Sequence, residues 1–179
     1  MFNILIVDDD FRDRQGICNT IKKYEIPLLS HTAECGDDAL RILKSEKIDI
    51  LMTDIKMPDM LGIELAETAK KLNSGLIIII MSAYKDFQYA QSAIGFGAIK
   101  YLLKPYSIEE LVDTLNNAIR ICSQKEISKR SVQSAAFSAT GNMILNYLNG
   151  KSEVSSEEIY AALNTKKIQL VFIRVLNHN

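Results

Sequence analysis

Ile4-Leu5-Ile6-Val7-Asp8-Asp9-Asp10 is the stretch of sequence that decides the fold. Four apolar residues stand at successive positions, so both faces of this strand must be covered, as in a parallel sheet with helices on each side. Segments with helical spacing follow this strand and separate it from later ones. Further apolar runs rich in β-branched residues lie at 28–33, 50–53, 76–81 and 98–103. The pattern predicts an α/β fold, a doubly wound five-stranded parallel sheet.

The composition predicts a soluble protein. Of 179 residues, 47% are hydrophobic and 24% are charged, and the net charge of -1 gives no sequence-wide reason for binding nucleic acid or a membrane. The longest strongly apolar run, 76–81, is far below the ~20 residues of a membrane helix. The N-terminus has no basic leader or cleavage site. We therefore expect a cytoplasmic protein, with three dispersed cysteines as reduced thiols.

The second part of the chain is predicted to differ from the first. Ser107 and Glu110 form a capping box that begins the fifth helix. The helical pattern weakens beyond Gln124 and resumes up to Leu148, which predicts a helical linker over 124–150 after a domain over 1–123. Residues 151–179 then predict a short helix and, at 168–176, a strand without a partner. We expect this to be the start of a truncated middle region.

Polar residues stand at the carboxyl ends of the predicted strands. Strand one ends in three acids, and Asp54, Ser82 and Lys104 follow strands three, four and five. A parallel sheet gathers these ends at one edge, where the ligand site of such folds lies. Converging carboxylates repel one another unless a cation lies between them, and Mg²⁺ prefers such oxygen ligands. A metal, a lysine and a held carboxylate are what phosphoryl transfer to a carboxylate requires.

Four motifs in the correct order make residues 1–123 resemble the response-regulator receivers of two-component systems. They are Ile4-Leu5-Ile6-Val7-Asp8-Asp9, Asp49-Ile50-Leu51-Met52-Thr53-Asp54-Ile55-Lys56-Met57-Pro58, Ile80-Met81-Ser82-Ala83 and Tyr101-Leu102-Leu103-Lys104-Pro105. The resemblance implies the flavodoxin-like (CheY-like) receiver fold. It also implies a signalling protein rather than an enzyme, with at most self-catalysed phosphoryl transfer and autodephosphorylation.

The resemblance assigns a role to each site residue. Asp54 would accept the phosphoryl group from a sensor histidine kinase. Mg²⁺ would be held by Asp8, Asp9, Asp54 and the backbone carbonyl of Lys56.

Lys104 would contact the phosphoryl oxygens. The resemblance also implies that the peptide bond between Lys104 and Pro105 is cis. Ser82 would hydrogen-bond one of these oxygens, and Tyr101 would move with it as the switch. Leu61 departs from the family, which more often has Asp or Asn before Gly62. We therefore expect no polar contact from the Leu61 side chain.

The run Asp86-Phe87-Gln88-Tyr89-Ala90, and more weakly residues 143–150 and 171–175, are similar to AraC-type transcriptional regulators of Gram-positive bacteria. This similarity implies a parent protein that binds DNA through a C-terminal domain which this chain lacks. A homodimer through the face of helix four, strand five and helix five, or through the linker helix, is a further hypothesis.

Two other functional interpretations are alternatives to a receiver. Asp8 and Asp10 could be the Asp-x-Asp pair of a haloacid-dehalogenase-like phosphatase, but that enzyme needs an acidic pair after its fourth strand, where Ser82-Ala83-Tyr84 stands. A receiver-like interaction module that is never phosphorylated is the other alternative, and the presence of every phosphorylation residue argues against it.

Overall fold

The computed structural model describes residues 1–83 and 87–148, with the backbone alone for Phe87 and residues 132–148. Within these residues, five strands alternate with five helices. The order is β1 Phe2–Val7, α1 Phe11–Lys23, β2 Leu28–Ala33, α2 Gly36–Ser45, β3 Ile50–Asp54, α3 Gly62–Leu72, β4 Ile77–Ser82, α4 Phe87–Gly95, β5 Lys100–Leu103 and α5 Ile108–Leu148.

The five strands form one parallel sheet in the order β2-β1-β3-β4-β5. The chain reverses its winding direction after β2, so β1 and β3 lie side by side at the centre. Ile4 pairs with Ile50 in that central register. The sheet is thus the predicted doubly wound, flavodoxin-like one, and its switch in strand order places the carboxyl ends of β1 and β3 next to each other.

The two faces of the sheet form two separate apolar cores. Ile4 and Ile6 pack in the core that contains residues of α1 and α5, while Leu5 and Val7 pack in the core that contains residues of α2, α3 and α4. Successive side chains of a strand point to opposite faces, so a strand buried on both faces must be apolar at every position. This explains the uninterrupted run at 4–7, all of it buried.

Four of the five strands differ from the prediction by one or two residues at a boundary. β1 begins at Phe2 rather than at Ile4, and β3 ends at Asp54 rather than at Thr53. The fourth strand runs over Ile77–Ser82 rather than 76–81, and the fifth begins at Lys100 rather than at Ala98. The backbone N–H of Ala98 donates to Ala93 O at 2.9 Å, so Ala98 belongs to the turn that ends α4. An apolar residue in such a turn cannot be distinguished from strand by composition.

The fifth helix is one continuous element from Ile108 to Leu148, where the pattern predicted a weakening beyond Gln124. Ser107 begins it as predicted, because its Oγ accepts the N–H of Glu110 at 3.1 Å. The Glu110 carboxylate pairs with Lys100 on β5 at 3.0 Å. Within the weaker stretch Glu126 and Arg130 are spaced four residues apart and form an ion pair at 3.8 Å, which favours helix without any apolar stripe.

The chain divides into two compact units, Met1–Gln124 and Lys125–Asn179. The predicted helix at 155–163 and strand at 168–176 lie outside the described residues. Cys18, Cys35 and Cys122 are free thiols, and the first and last are buried in the apolar core, as expected. None of the helices in the described part of the chain is both long and apolar enough to cross a membrane.

Candidate functional site

The carboxyl edge of the sheet brings together residues that are far apart in sequence. Lys104 Nζ lies 2.7 Å from Asp8 Oδ2 and 2.9 Å from Asp54 Oδ1. Asp8 and Asp54 are buried, with 1% and 8% of their surface exposed. Parallel pairing is the cause, since β1, β3 and β4 all end at this edge and β5 delivers Lys104 beside them. The predicted convergence of Asp8, Asp54 and Lys104 is therefore confirmed.

A third carboxylate contacts the same ammonium group. Asp13, in the first turn of α1, has its Oδ2 2.7 Å from Lys104 Nζ. Asp13 was not among the predicted site residues. The helix that follows β1 begins above the same edge, so an acid in the first turn of α1 is a signal for a site residue. Which first-turn residue faces the strand ends depends, however, on the three-residue loop before the helix.

Burial and charge set the protonation of this cluster. Burial raises the pKa of Asp8 above its ordinary value, although the hydrogen bond from Lys104 opposes that shift. Burial alone would lower the pKa of Lys104, but the hydrogen bonds to Asp13, Asp8 and Asp54 outweigh burial and raise that pKa. Lys104 is consequently a fixed positive charge at every physiological pH.

Backbone groups hold the two buried carboxylates in place. Asp8 Oδ1 accepts the N–H of Asp10 at 3.0 Å, and Asp54 Oδ2 accepts the N–H of Lys56 at 2.8 Å. The buried Arg14 guanidinium donates to the backbone carbonyls of Asp8 and Asp9 from α1. Each carboxylate thus keeps one oxygen toward Lys104 while its other oxygen is fixed by the loop that follows its strand.

The remaining predicted residues lie around this cluster. Ser82 is buried at the end of β4, and its backbone carbonyl accepts the N–H of Lys104 at 2.7 Å. The bond between Lys104 and Pro105 is cis, as the resemblance implied. Tyr101 is partly buried on β5 and packs against the core that contains residues of α2, α3 and α4.

A neighbouring, partly buried tyrosine lies beside the cluster. The Tyr106 hydroxyl donates to Met81 Sδ at 3.7 Å, and burial raises the pKa of Tyr106 to about 12. Tyr106 therefore stays neutral beside the charged residues. Tyr106 was not among the predicted site residues.

The metal assignment remains a prediction. Asp9 is exposed on the loop after β1, and the described side chains contain no cluster of three His, Cys, Asp or Glu ready to hold a metal ion. The donor chemistry nevertheless fits Mg²⁺, because Asp8, Asp13 and Asp54 surround a single ammonium group and leave a surplus of negative charge.

Asp10 does not join the cluster. Its Oδ1 accepts the N–H of Arg12 at 2.7 Å, so it is the N-cap of α1, and its side chain is 45% exposed. The Asp-x-Asp arrangement of a phosphatase needs both acids directed at one substrate. The position of Asp10 therefore disfavours the phosphatase reading.

A doubly wound parallel sheet with acidic side chains around a lysine at its carboxyl edge defines the class of phosphoryl-accepting receivers. Residues 4–116 match the family model of the response regulator receiver domain. The chain belongs to that family.

Curated relatives and solved structures agree with the family. The chain is 37% identical over 117 residues to the DNA-binding transcriptional regulator NtrC of Proteus hauseri, covering 65% of this chain and 24% of the relative. It is 28% identical over 131 residues to the transcriptional regulatory protein YesN of Bacillus subtilis, covering 73% of this chain and 36% of the relative. The chain thus spans well under half the length of these two relatives.

Two solved structures share the fold. A receiver domain from Methanospirillum hungatei superposes with a TM-score of 0.66 at 26% identity, covering 70% of this chain and 98% of that one. The response regulator TrrA of Thermotoga maritima, in complex with Mg²⁺ and beryllofluoride, superposes with a TM-score of 0.59 at 28% identity, covering 66% of this chain and 99% of that one.

Proposed function

We propose that this chain accepts a phosphoryl group on Asp54 from the phosphohistidine of a sensor histidine kinase. The observation that carries the proposal is the contact of Asp54 with Lys104, at 2.9 Å, in a buried position at the carboxyl edge of the sheet. A carboxylate held beside a permanent cation is poised for attack on an electrophile that brings negative charge with it.

The transfer exchanges one bond to phosphorus for another. A carboxylate oxygen of Asp54 forms a P–O bond while the P–N bond of the phosphohistidine breaks, and the electron pair stays on the imidazole nitrogen. Charge on the equatorial oxygens is met by the Lys104 ammonium, whose position is fixed by Asp8. The product is an acyl phosphate on Asp54.

Asp8, Asp9, Asp54 and the carbonyl of Lys56 are the residues that would hold Mg²⁺. The ion neutralises charge on the transferring group when it is bound. Asp8 and Asp54 already present buried carboxylate oxygens at the edge, which supports this assignment.

Ser82 and Tyr101 form the proposed switch. Ser82 ends the strand next to the one that ends in Asp54, with Met81 directly opposite Asp54. Its hydroxyl would hydrogen-bond a phosphoryl oxygen, and Tyr101, one strand further on, would rearrange with it. The face formed by α4, β5 and α5 is then the surface that changes.

We further propose a receiver over 1–123, a helical linker over 124–150 and the start of a middle region over 151–179. The parent protein would be a cytoplasmic transcriptional regulator of the AraC type, since YesN of Bacillus subtilis is among the relatives. DNA binding belongs to a domain outside this chain. Homodimerisation would use the face of α4, β5 and α5 or the linker helix.

Intact-mass spectrometry tests the phosphoryl acceptor directly. The protein is incubated with acetyl phosphate and Mg²⁺, and wild type is compared with Asp54→Asn and with the matched control Asp10→Asn. We expect a single phosphoryl adduct on wild type and on Asp10→Asn and none on Asp54→Asn. An adduct that persists in Asp54→Asn, or its loss in Asp10→Asn, would contradict the assignment and favour chemistry at the first strand.

A further inference from the structure

Lys104 is fully engaged before any phosphoryl group arrives. An ammonium group has three N–H donors, and Lys104 has three carboxylate partners, Asp8, Asp13 and Asp54, at 2.7, 2.7 and 2.9 Å. Asp13 is the only one of these three that the receiver motifs do not include. A contact from Lys104 to a phosphoryl oxygen therefore requires one existing contact to be given up.

The three carboxylates differ in how easily they can release Lys104. The Asp8 and Asp54 side chains are 2% and 12% exposed, whereas the Asp13 side chain is 43% exposed. A buried carboxylate that loses its cation bears a large desolvation cost, while an exposed one is rehydrated. Asp13 also lies in the first turn of α1, where the helix dipole stabilises a negative charge.

Space is available for this release. An open groove at the edge of the site is lined by Asp13, Lys104 and Tyr106, and by Gly16 and Thr20 of α1. A glycine at position 16 leaves the wall of the groove open, because no atom beyond its chain neighbours and the nearby backbone of α1 lies within 4 Å of where its Cβ would be. The Asp13 carboxylate can therefore turn toward solvent without displacing a packed side chain.

We propose that Asp13 is a positioning residue that competes with the phosphoryl group for Lys104 and thereby weakens the phosphorylated state. The inference rests on the proposed phosphorylation of Asp54. The unphosphorylated form keeps Lys104 shared among three anions, and phosphorylation exchanges the Asp13 carboxylate for a phosphoryl oxygen. The free energy of the lost contact between Asp13 and Lys104 is therefore subtracted from the stability of the phosphorylated state.

Beryllofluoride binding at saturating Mg²⁺ measures this competition. The four proteins are wild type, Asp13→Asn, Asp13→Glu and Asp38→Asn, with the dissociation constant followed by ¹⁹F NMR. Asp38 is a matched control, since it lies in the first turn of α2 and pairs with Arg41 on the surface. We expect Asp13→Asn to bind about two- to tenfold more tightly, the size of one partly exposed charge pair.

The remaining arms separate competition from a structural role. Asp13→Glu keeps the charge and should bind like wild type, and Asp38→Asn should also be unchanged. Added salt should shrink the gain of Asp13→Asn, because screening weakens an exposed pair. Unchanged or weaker binding by Asp13→Asn, or a gain in Asp13→Glu, overturns the inference while leaving the phosphoryl acceptor in place. Absence of bound beryllofluoride in all four proteins would instead remove the proposed function and this inference with it.

Discussion

Replacing Gly62 with alanine tests how the start of α3 supports the end of β3, which carries the proposed phosphoryl acceptor Asp54. A Cβ at position 62 would lie 1.8 Å from the backbone oxygen of Asp54 and 2.9 Å from Thr53 Oγ1. The glycine N–H also donates to Ile55 O at 2.8 Å, so the backbone is held in this close approach. The added methyl group can be accommodated only if the start of α3 moves away from the end of β3.

The expected cost follows from this geometry. Overpacking against backbone that cannot rotate away costs about 1–3 kcal/mol, and sometimes more. The same chemical change at Gly16 has the opposite expected sign, because that residue lies within α1 and its added Cβ would meet no atom within 4 Å beyond its chain neighbours and the nearby helix backbone. Gly16→Ala should stabilise the protein by about 0.5–1 kcal/mol through helix propensity.

Urea denaturation followed by far-ultraviolet circular dichroism measures both variants. With a slope of about 1–3 kcal/mol per molar urea, Gly62→Ala should lower the midpoint by roughly 1 M and Gly16→Ala should raise it slightly. Phosphoryl acceptance should also fall in Gly62→Ala, because the displaced carbonyl belongs to Asp54. A midpoint for Gly62→Ala equal to or above that of wild type would refute the reasoning.

Three further predictions concern burial and charge. Leu51 is buried and Leu29 is exposed, so Leu51→Ala should destabilise the protein by about 2–5 kcal/mol and Leu29→Ala by about 0.5 kcal/mol or less. Urea denaturation measures both losses. Equal losses would contradict a core on both faces of the sheet. The pKa of Tyr106 is raised by burial from 10.0 to about 12, so its contribution to stability is present below pH 10 and is lost as the pH rises through 12. Tyr106→Phe should therefore flatten the alkaline loss of stability, and an unchanged slope would contradict this. Burial alone would raise the pKa of Asp59, but the backbone N–H of Asp37, 2.9 Å away, and neighbouring N–H groups lower it, so stability is lost as the pH falls below 3.8. Thermal melts of Asp59→Asn should show a shallower acid limb than wild type, and a steeper one would count against this contact.

The convergence of Asp54 and Lys104 was predictable because it depends only on chain direction. Five parallel strands place their carboxyl ends at one edge, whatever the loops do, so residues fifty positions apart could be assigned to one site. The run at 4–7 carried the same kind of information, since its uninterrupted apolar character indicated a strand covered on both faces.

Asp13 and the length of α5 were not predictable in that way. The direction of Asp13 depends on the rotation of α1 about its axis, which the short loop over Asp8 to Asp10 fixes through hydrogen bonds rather than through periodicity. Beyond Gln124 the helix continues through residues such as the exposed Ile127 and Ser131, where an apolar stripe gives no indication. Loop hydrogen bonds fix the direction of Asp13, and ion pairs at helical spacing, such as Glu126 with Arg130, favour the continuation of α5.

The Arg14 guanidinium of α1 donates hydrogen bonds to the carbonyls of Asp8 and Asp9 and so holds the acidic loop against the helix. The shape of that loop is therefore established when the protein folds, and an arriving cation does not have to organise it. A loop already ordered loses little conformational entropy on binding, so more of the electrostatic attraction remains as affinity. If Asp8 and Asp9 hold Mg²⁺ as proposed, Arg14 would favour binding of the ion without contacting it, because the loop is already ordered when the ion binds.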